Sequence, residues 1–552
     1  MTVRPEPGRG MDDIRPFLDH ARLVVAAVVA AIALLPSAAQ AVSAGPGCAP
    51  NRPAIAHHPG GVVARPQPRG APIPCGMQTG FAGGESAIAV TNGGAVFYAP
   101  AVQSFAGTQA QYFLGGNSGF ARTTDDGRTW SFVLPISPNL AVPANPLGKP
   151  GWPAWDQIDD KFFMDRRTGR LFWTDPDVPS EAVLWTDDDG LTWDVSELPV
   201  GLGGEWTQVT TAKPRISKTT GYPEVVYACG EYDSVGRDVS TSFEGDLCQK
   251  SLDGGQTWIA AGQGFFGSPI ATHPQCDGKT ESPNFSPWAA PDPQGRLYEL
   301  LFCDGRTYLI RSSDEGATWP ILAPVPFTIP NVGPGDTGSA ELRTDARGDL
   351  YLAWTNPGNP NPNGPYTPGR LYMATSRNGG VSWSPAYDVL GPRVQGLRTH
   401  FGFDVGAPGH VAISYLGKAA GRSGFYGYIT ETYDALAKRP LLWSGIVDDS
   451  SQAPLDNGGK GSSNGLGLDY VSVAIGPDGT PWASFWDDCG EDLPQKNAGC
   501  PAGRQSPPGV TRLGFADYAG RLTSAPPAPR RANARRDVHL HSRGRRGRAR
   551  RR

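Results

Sequence analysis

Apolar and polar residues alternate in short runs along most of the chain, which is typical of strands with one buried face. Runs rich in aromatic and β-branched residues recur at regular intervals, as expected for the second strands of repeated units. Seven such runs occur, at 95–98, 171–173, 225–227, 297–300, 350–354, 411–415 and 482–486. The 72 glycines and 54 prolines supply frequent turns. The pattern therefore predicts an all-β protein of many short strands.

One eight-residue motif organises this pattern. It reads S/T-x-D-x-G-x-T-W and occurs at 123–130, 186–193, 251–258, 312–319 and, in a weaker form, 376–383. Its closing tryptophans are 61 to 65 residues apart. A fixed signature at a fixed period indicates a repeat architecture.

The residue types of the motif fit a hairpin turn. A short acidic side chain accepts hydrogen bonds from the turn, a glycine takes a strained backbone position, and the tryptophan packs beneath. We therefore expect structural roles for the acidic position, which is held by Asp125, Asp188, Asp253, Asp314 and Asn378.

The five motifs resemble the Asp-box, or bacterial neuraminidase repeat, of sialidase-like β-propellers. This resemblance implies a β-propeller of four-stranded blades with Asp-box turns on one face. The seven runs, and the length of the segment 81–525, predict seven blades; a six-bladed ring with an accessory hairpin is the alternative. Propellers of this superfamily include sialidases, other glycosidases and binding modules, so the fold alone does not select a function.

The two ends of the chain differ from this body. Residues 1–41 combine arginines, an apolar run and the small-residue site Ala39-Gln40-Ala41, which predicts a secretory signal and no membrane span after its cleavage. Residues 42–80 are an irregular lead-in that could donate a closing strand. Residues 526–552 form a basic tail with eleven arginines and one acid, Asp537. We expect this tail to be disordered and to contact an anionic polymer, without sequence-specific nucleic-acid recognition.

The chain contains eight cysteines, which in an exported protein predict disulfides. Pairing by proximity in the sequence gives Cys48–Cys75, Cys229–Cys248, Cys276–Cys303 and Cys489–Cys500. The sequence contains no C-x-x-C pair and no histidine cluster with metal-ligand spacing, so neither a metal nor a cofactor is expected.

Charged residues of different units fall on one side of the predicted first strands, which line the channel of a propeller. Opposite charges would then converge on one axis, either as a salt-bridge network that fills the channel or as a pocket for a charged or sugar-like ligand. The residues are Asp159, Lys161, Lys213, Arg215, Trp288, Glu341, Arg343, Arg398, His400 and Tyr470. We expect the ligand face at the starting ends of these strands, beside the long loops 231–246, 355–369 and 487–509, the first of which begins with Glu231.

The resemblance also implies how a sialidase would use such residues: three arginines hold a carboxylate, and a tyrosine nucleophile works with a glutamate and an acid/base aspartate. By position, Arg215, Arg343 and Arg398 would form the triad, Tyr470 with Glu341 or Glu231 the nucleophile pair, and Asp159 the acid. The family's F/Y-R-I-P motif is absent; the nearest string, PRIS at 214–217, lies in the third unit.

Two functions follow from these observations. The first is a secreted propeller that binds extracellular glycan or a cell-surface partner at its channel face, with Arg215, Arg343, Arg398, His400, Lys161, Lys213, Trp288 and Glu231 as ligand-binding residues. The alternative is a sialidase-like exo-glycosidase with Asp159, Glu341 and Tyr470 as catalytic residues. The first is preferred because the fold motif is plain while a catalytic motif is not.

Overall fold

A computed structural model of the chain describes fewer than its 552 residues. The described ranges are 42–44, 48–101, 120–133, 161–177, 180–198, 207–233, 243–262, 280–281, 289–303, 306–329, 340–356, 369–398, 400–448, 454–456, 471–487 and 515–523.

Within these ranges the chain is built almost entirely of strands. The lead-in contains β1 (Val42–Ala44), β2 (Ala49–Pro50), β3 (Ile55–His58), a single 3-10 turn (Pro59–Gly61) and β4 (Val62–Val63). The first array contains β5 (Ile73–Val90), β6 (Val96–Ala101), β7 (Phe120–Thr123) and β8 (Thr129–Val133). The second contains β9 (Lys161–Met164), β10 (Leu171–Asp177), β11 (Ser180–Thr186) and β12 (Asp194–Glu197).

The same order of strands continues along the chain. The third array has β13 (Gln208–Ala212), β14 (Val225–Asp233), β15 (Phe243–Ser251) and β16 (Ile259–Ala260). The fourth has β17 (Thr280–Glu281), β18 (Ala290–Pro291), β19 (Leu297–Cys303), β20 (Arg306–Ser312) and β21 (Ile321–Pro324). The fifth has β22 (Ala340–Thr344), β23 (Leu350–Asn356), β24 (Arg370–Ser376) and β25 (Tyr387–Asp388).

Two further groups complete the described chain. One contains β26 (Val394–Leu397), β27 (Gly402–Val405), β28 (Val411–Ala419), β29 (Tyr426–Thr432) and β30 (Leu442–Ile446). The other contains β31 (Ser472–Ile475), β32 (Pro481–Asp487) and β33 (Phe515–Thr523). All strand pairs are antiparallel neighbours, as in the four-stranded blades predicted from the repeat.

The described strands form six hydrogen-bonded sheets. If each hydrogen-bonded sheet is counted as one blade, the described propeller has six blades. The prediction of seven separate blades is therefore wrong, and the alternative of six blades agrees with the structure. The physical reason is the length of β5, which has 18 residues. Its first half pairs with β33 and its second half with β6, and this continuous strand joins two four-stranded arrays in one nine-stranded sheet.

The lead-in residues extend the sheets at their outer edges. Residues 73–83 of β5 pair with β33, so an N-terminal segment completes the last array. The hairpin of β3 and β4 adds to the outer strand β30, while β1 pairs with β8 and β2 with β5. Disulfides join Cys48 to Cys75 and Cys229 to Cys248, in agreement with two of the predicted pairs. The other two predicted pairs involve Cys276, Cys489 and Cys500, which lie outside the described residues, and Cys303 at the end of β19.

The core lies in layers between adjacent sheets. Between the first and second arrays, for example, Phe120 meets Trp173 edge-on with ring centroids 4.4 Å apart, and both are fully buried. The tryptophans that close the first four motifs, Trp130, Trp193, Trp258 and Trp319, are buried as well. Apolar strand positions thus hold the arrays together by removing large aromatic surfaces from water.

The five motifs that resemble Asp-boxes share one hydrogen-bond pattern. In the third, Oδ1 of Asp253 accepts from Oγ of Ser251 at 2.7 Å and from N–H of Thr257 at 2.9 Å, while Oγ1 of Thr257 donates to Oδ2 at 2.6 Å. In all five motifs, Oδ1 of the aspartate or asparagine accepts from the backbone N–H four residues later at 2.9 Å. The motif residues therefore clasp the turn between the third and fourth strands.

A sixth turn keeps part of this pattern. Oδ1 of Asp434 accepts from Oγ1 of Thr432 at 2.8 Å and from N–H of Leu441 at 2.9 Å. The sequence missed this turn because its second donor lies seven residues after the aspartate and not four. The T-x-D string at 432–434, together with Trp443, was the available signal.

Candidate ligand-binding cavity

The first strands surround an axial cavity of about 790 Å³. Its wall is formed by strand residues 88–90, 162–164, 208–212, 289–291, 342–344, 403–405 and 472–475. Its mouth is formed by the turns that follow these strands, at 165–167, 292–293, 345–346, 406–407 and 476–479. The volume falls within the range of about 300–1,000 Å³ that is usual for small-molecule sites.

The mouth of this cavity shares a face with the Asp-box-like turns. Because neighbouring strands are antiparallel, the turn between strands one and two lies on the same side as the turn between strands three and four. The sequence placed the ligand site at the opposite ends of the first strands. Long loops of that opposite face, including 357–368 and 488–514, lie outside the described residues.

Glu341 and Arg343 form the main ion pair of the channel wall. Both belong to β22, two residues apart and therefore on one side of the strand, and Nη2 of Arg343 lies 2.8 Å from Oε2 of Glu341. Nη1 of the same guanidinium donates to the carbonyl of Leu342 at 3.1 Å. Burial raises the pKa of Glu341, while the positive charges of Arg343 and Lys161 act against this rise.

Asp404 is a channel carboxylate that the sequence interpretation missed. Its Oδ2 accepts from N–H of Ile475 at 2.7 Å and its Oδ1 from its neighbour Val405 at 2.8 Å. Burial raises its pKa, and these hydrogen bonds together with Arg166 and Arg343 oppose the rise. The sequence does carry a signal for Asp404. It is an acidic residue between Phe403 and Val405, at the polar position of an alternating strand.

Lys161 and His400 belong to the same electrostatic network. The positive charge of Lys161, on β9, acts on Glu341 of β22 and on His400, which lies just before β27. Burial, with a further contribution from Lys161, lowers the pKa of His400 to about 3. His400 is therefore neutral at physiological pH and does not add to the positive charge of the channel.

Two further arginines at the mouth are held by partners of the protein itself. Nε of Arg167 lies 2.6 Å from Oε1 of the buried Glu224. Arg166 donates through Nη2 to the carbonyl of Ile475 and through Nη1 to Oδ1 of Asn92 at 3.4 Å. The guanidinium groups at this end of the cavity thus fix its turns in place.

Tyrosine hydroxyls fix the turns of the mouth in a similar way. The hydroxyl of Tyr351 donates to Oδ2 of Asp345 at 2.8 Å and accepts from N–H of Gly409 at 2.8 Å, so it connects the turns of two neighbouring arrays. The hydroxyl of Tyr222 donates to Oδ2 of Asp165 at 2.5 Å. Both aspartates accept from backbone N–H groups of their own turns as well.

His410 adds an imidazole to the mouth. Its Nε2 lies 3.6 Å from Oε2 of the buried Glu431, and its ring stacks on Tyr433 with centroids 4.2 Å apart. Burial raises the pKa of Glu431, and the contact with His410 opposes the rise.

The three arginines proposed as a triad contact three different sets of residues. Arg343 pairs with Glu341, and Arg398 pairs with the buried Asp456 and lies over the ring of Phe425 at 5.5 Å. Arg215 donates to the carbonyls of Ser313 at 2.9 Å and Gln294 at 2.8 Å. The structure therefore does not assemble Arg215, Arg343 and Arg398 into one carboxylate-binding cluster.

Arg215 lies apart from the other two arginines partly because of where the first strand of the third array ends. β13 ends at Ala212, and Pro214 cannot continue the ladder because it lacks an N–H group, so the chain makes a long turn before β14. Lys213 is exposed at the mouth of the cavity, and Arg215 lies beyond it in the turn. The sequence pattern places Arg215 on a first strand, which would require this strand to continue beyond Ala212.

The remaining predicted residues are placed as follows. Glu231 lies in β14, opposite Asp246 of β15. Asp159, Trp288 and Tyr470 lie outside the described residues, so their roles remain predictions. In the described ranges, no group of three or more histidine, cysteine, aspartate or glutamate side chains is arranged to hold a metal ion.

No family model matches the chain, and no curated protein matches it. Solved structures that resemble it include a leech intramolecular trans-sialidase (15% identity over 74% of this chain and 65% of that one, TM-score 0.33). The NanB sialidase of Streptococcus pneumoniae resembles it at 10% identity over 86% and 94% of the two chains, TM-score 0.37. An α-L-arabinanase of Penicillium chrysogenum does so at 12% over 67% and 97%, TM-score 0.34.

The chain thus spans 65% of the length of the leech enzyme. The antiparallel sheets around an axial cavity, with their repeated turns, form a β-propeller, as the sequence predicted.

Proposed function

We propose that this protein is an extracellular β-propeller that binds glycan in its axial cavity and does not hydrolyse it. The observation that carries the proposal is the pairing of Glu341 with Arg343 beside a cavity of about 790 Å³. The pair occupies both the carboxylate that would act in catalysis and the arginine that would recognise a substrate.

The wall of the cavity suits a saccharide in two respects. Partly exposed apolar strand residues such as Phe163 and Ala474 can cover the C–H faces of a sugar, and polar groups between the strands can bind its hydroxyls. The turns of the mouth are fixed by tyrosine and arginine hydrogen bonds, so the cavity is preorganised and little ordering is required on binding.

Two disulfides support an oxidising, extracellular compartment, in accord with the export signal predicted for residues 1–41. Within the described ranges, no helix is both long and apolar enough to cross a membrane. Residues 526–552 lie outside the described part, and contact of their arginines with an anionic polymer at the cell surface remains part of the proposal.

The proposal is tested on the secreted protein with a glycan array and a panel of fluorogenic glycosides that includes a sialoside. We expect binding to at least one glycan class and no turnover of any glycoside. Failure to bind any glycan would contradict the proposal, and so would turnover that a Glu341→Gln variant abolishes.

An exo-glycosidase is the second candidate, and one observation favours it. Burial raises the pKa of Glu341 to about 7 in a channel that also holds the carboxylate of Asp404, and a carboxyl group with a pKa near neutral can act as a general acid. This candidate predicts turnover on the same panel, with loss of at least about a hundredfold in kcat in Glu341→Gln.

A further inference from the structure

The charged residues that line the cavity differ in exposure according to their sign. Among the described residues of this lining, the exposed charges are all cations, namely Arg166, Arg167 and Lys213. The acids lie deeper, since four are at most 5% exposed and the last is half-buried: Asp165, Glu224, Asp292, Asp345 and Asp404. A ligand that approaches the mouth from solvent therefore meets positive charge first.

The acids of the mouth are engaged within the fold. Asp165 and Asp345 each accept from a tyrosine hydroxyl and from a backbone N–H group of their own turn, and Asp404 accepts from backbone N–H groups. Asp478, in a neighbouring turn, is exposed but does not line the cavity. Its carboxylate accepts from N–H and Oγ1 of Thr480 at 2.9 and 2.8 Å.

Arg166 keeps both its charge and part of its donor capacity. It donates to the carbonyl of Ile475 and, at 3.4 Å, to Oδ1 of Asn92. Both partners are neutral, so neither contact cancels the positive charge. Within the described part of the chain these contacts use two of the five N–H groups of the guanidinium. The others can donate to a carboxylate or a sulfate.

Arg167 and Lys213 form a second cationic group around one carboxylate. Nε of Arg167 lies 2.6 Å from Oε1 of Glu224, and the two side chains are 55% and 6% exposed. Lys213 follows Ala212, which pairs with Val225, so Lys213 and Glu224 adjoin at the end of this strand pair. The charges of both cations oppose the rise in pKa that burial gives Glu224. One buried carboxylate thus lies beside two exposed cations, and one positive charge is left over.

The two adjacent arginines reach opposite sides of the turn between β9 and β10. Arg166 contacts the end of β31 and the turn after β5, whereas Arg167 contacts Glu224 and the carbonyl of Pro223, just before β14. The mouth therefore has two cationic points, one on each side of this turn. A ligand with anionic groups on two sugars can contact both, while a ligand with a single carboxylate can contact only one.

We infer that the mouth of the cavity binds an acidic oligosaccharide with anionic groups on at least two sugars, one facing Arg166 and the other facing Arg167 and Lys213. This inference rests on the proposed function, since it names the ligand class of the same site. The anionic groups are carboxylates or sulfates, whose oxygens match the planar fork of arginine. Partly exposed apolar residues of the wall, such as Phe163, lie beside these cations and can cover the sugar rings.

The first experiment is isothermal titration calorimetry on the full secreted chain with digalacturonate and its monomethyl and dimethyl esters. The three ligands share their sugar rings and carry two, one and no charges. We expect digalacturonate to bind at least about tenfold more tightly than either ester, with a Kd that rises at least about fivefold between 50 and 500 mM NaCl. A chondroitin sulfate disaccharide, in which one anionic group is a sulfate, shows by its Kd which of the two groups the mouth prefers.

Substitutions place the binding at the mouth. Lys213→Glu reverses a charge at an exposed position and should weaken binding of digalacturonate at least about tenfold, whereas Lys213→Arg should bind within about twofold of the unsubstituted protein. Lys438→Glu changes the net charge equally at an exposed position that does not line the cavity, so it is the matched control and should not weaken binding. Arg166→Gln keeps an N–H donor for Ile475 and should reduce the preference for digalacturonate over its monomethyl ester.

Amide hydrogen exchange of the full chain locates the ligand independently of the basic tail. We expect digalacturonate to slow exchange in 165–170 and 211–218 and to leave 526–552 unchanged. Slower exchange only in 526–552 would overturn the inference, because the ligand would then be bound by the tail.

The other outcomes separate the inference from the proposed function. A dimethyl ester that binds as tightly as digalacturonate would overturn the inference and leave glycan binding standing. Equal weakening by Lys213→Glu and Lys438→Glu would overturn it by showing an effect of net charge alone. A tetraglutamate peptide that binds as tightly as digalacturonate would overturn it by showing that the cations recognise no sugar. A failure of every saccharide, charged or neutral, on the array and in calorimetry, would overturn the proposed function and the inference with it.

Discussion

Nη2 of Arg343 and Oε2 of Glu341 lie 2.8 Å apart on one side of β22. The two side chains are 11% and 14% exposed, so water contributes little to the solvation of either charge. Such a pair is held by mutual attraction against a large desolvation cost. Its role is therefore best tested by removing one charge and then the other.

We predict that Arg343→Met lowers the free energy of unfolding by about 3 kcal/mol at neutral pH, because Glu341 is left buried without its cation. The double variant Glu341→Gln/Arg343→Met should recover at least about half of that loss. Urea unfolding of the two variants measures both quantities. Equal losses in the single and double variants would contradict a specific pair.

The loss of stability in Arg343→Met should depend on pH in a defined direction. Burial already raises the pKa of Glu341 above 4.5, and loss of Arg343 raises it further. A raised folded-state pKa gives stability that is full below the unfolded value and is lost as the pH rises through the folded value. The destabilisation of Arg343→Met should therefore be smaller at pH 5 than at pH 8.

The third Asp-box-like turn offers a graded test. Asp253→Ala removes an acceptor of three hydrogen bonds and should cost about 2 kcal/mol. Asp253→Asn should cost about 1 kcal/mol or less, because Oδ1 of Asn378 in the fifth turn still accepts from Oγ of Ser376 and from N–H of Ser382, and its Nδ2 donates to Oγ of Ser382 at 2.8 Å. Thermal unfolding of both variants decides the order.

At acid pH, the difference in free energy of unfolding between the wild type and Asp253→Asn should disappear. Burial acts to raise the pKa of Asp253, but the hydrogen bonds from Thr257 outweigh it and hold the pKa below 3.8. Stability from a lowered pKa is present above the unfolded value and is lost as the pH falls through the folded value. A difference that persists undiminished well below pH 3 would show that the carboxylate charge is not its source.

Glu315 connects two arrays through its carboxylate. Its Oε1 accepts from the backbone N–H groups of Arg215, Ile216 and Ser217 at 2.8 to 3.0 Å, and Nζ of Lys250 lies 3.2 Å from Oε2. We predict that Glu315→Ala costs about 3 kcal/mol and removes the hydrogen-exchange protection of these three amides. Glu315→Gln, which keeps an acceptor oxygen, is the control and should lose less than half as much.

This contact also has a pH signature. Burial acts to raise the pKa of Glu315, but the donors of residues 215–217 lower it to about 2. The stability it contributes is present above the unfolded value of 4.5 and is lost as the pH falls toward 2. Protection of Ile216 that is unchanged between pH 5 and pH 2 would contradict this account.

The repeat predicted the strands and turns because their cause is local. A strand needs alternating residues, and the turn needs an acceptor, a glycine and a donor within eight residues, all of which are written in the sequence. The blade count failed because it depends on whether β5 stays straight between two arrays, which is a tertiary property. Asp434 was missed because its turn is longer by three residues.

The candidate site was less predictable than the fold. The sequence placed Lys161, Glu341 and Arg343 in one channel, and their charges do act on one another there. It also placed Arg215 and Arg398 in that group, but their partners, Ser313 and Asp456, come from distant parts of the chain. Contacts between residues so far apart in the sequence depend on how the arrays pack together. The spacing of residues along the chain does not predict this packing.

The hydroxyl of Tyr351 gives the last prediction, because it holds together two turns of the cavity mouth. It donates to Asp345 and accepts from Gly409, each at 2.8 Å. Tyr351→Phe should cost about 1–2 kcal/mol of stability and should raise the Kd for the glycan that binds most tightly roughly fivefold, about 1 kcal/mol of binding free energy. Tyr415→Phe is a matched control, since that hydroxyl is equally buried and accepts from Gly391 at 3.0 Å, but Gly391, unlike Asp345, does not line the cavity. It should lose comparable stability without a change in Kd, so weaker binding in Tyr415→Phe, or unchanged binding in Tyr351→Phe, would show that the turns of the mouth do not position the ligand.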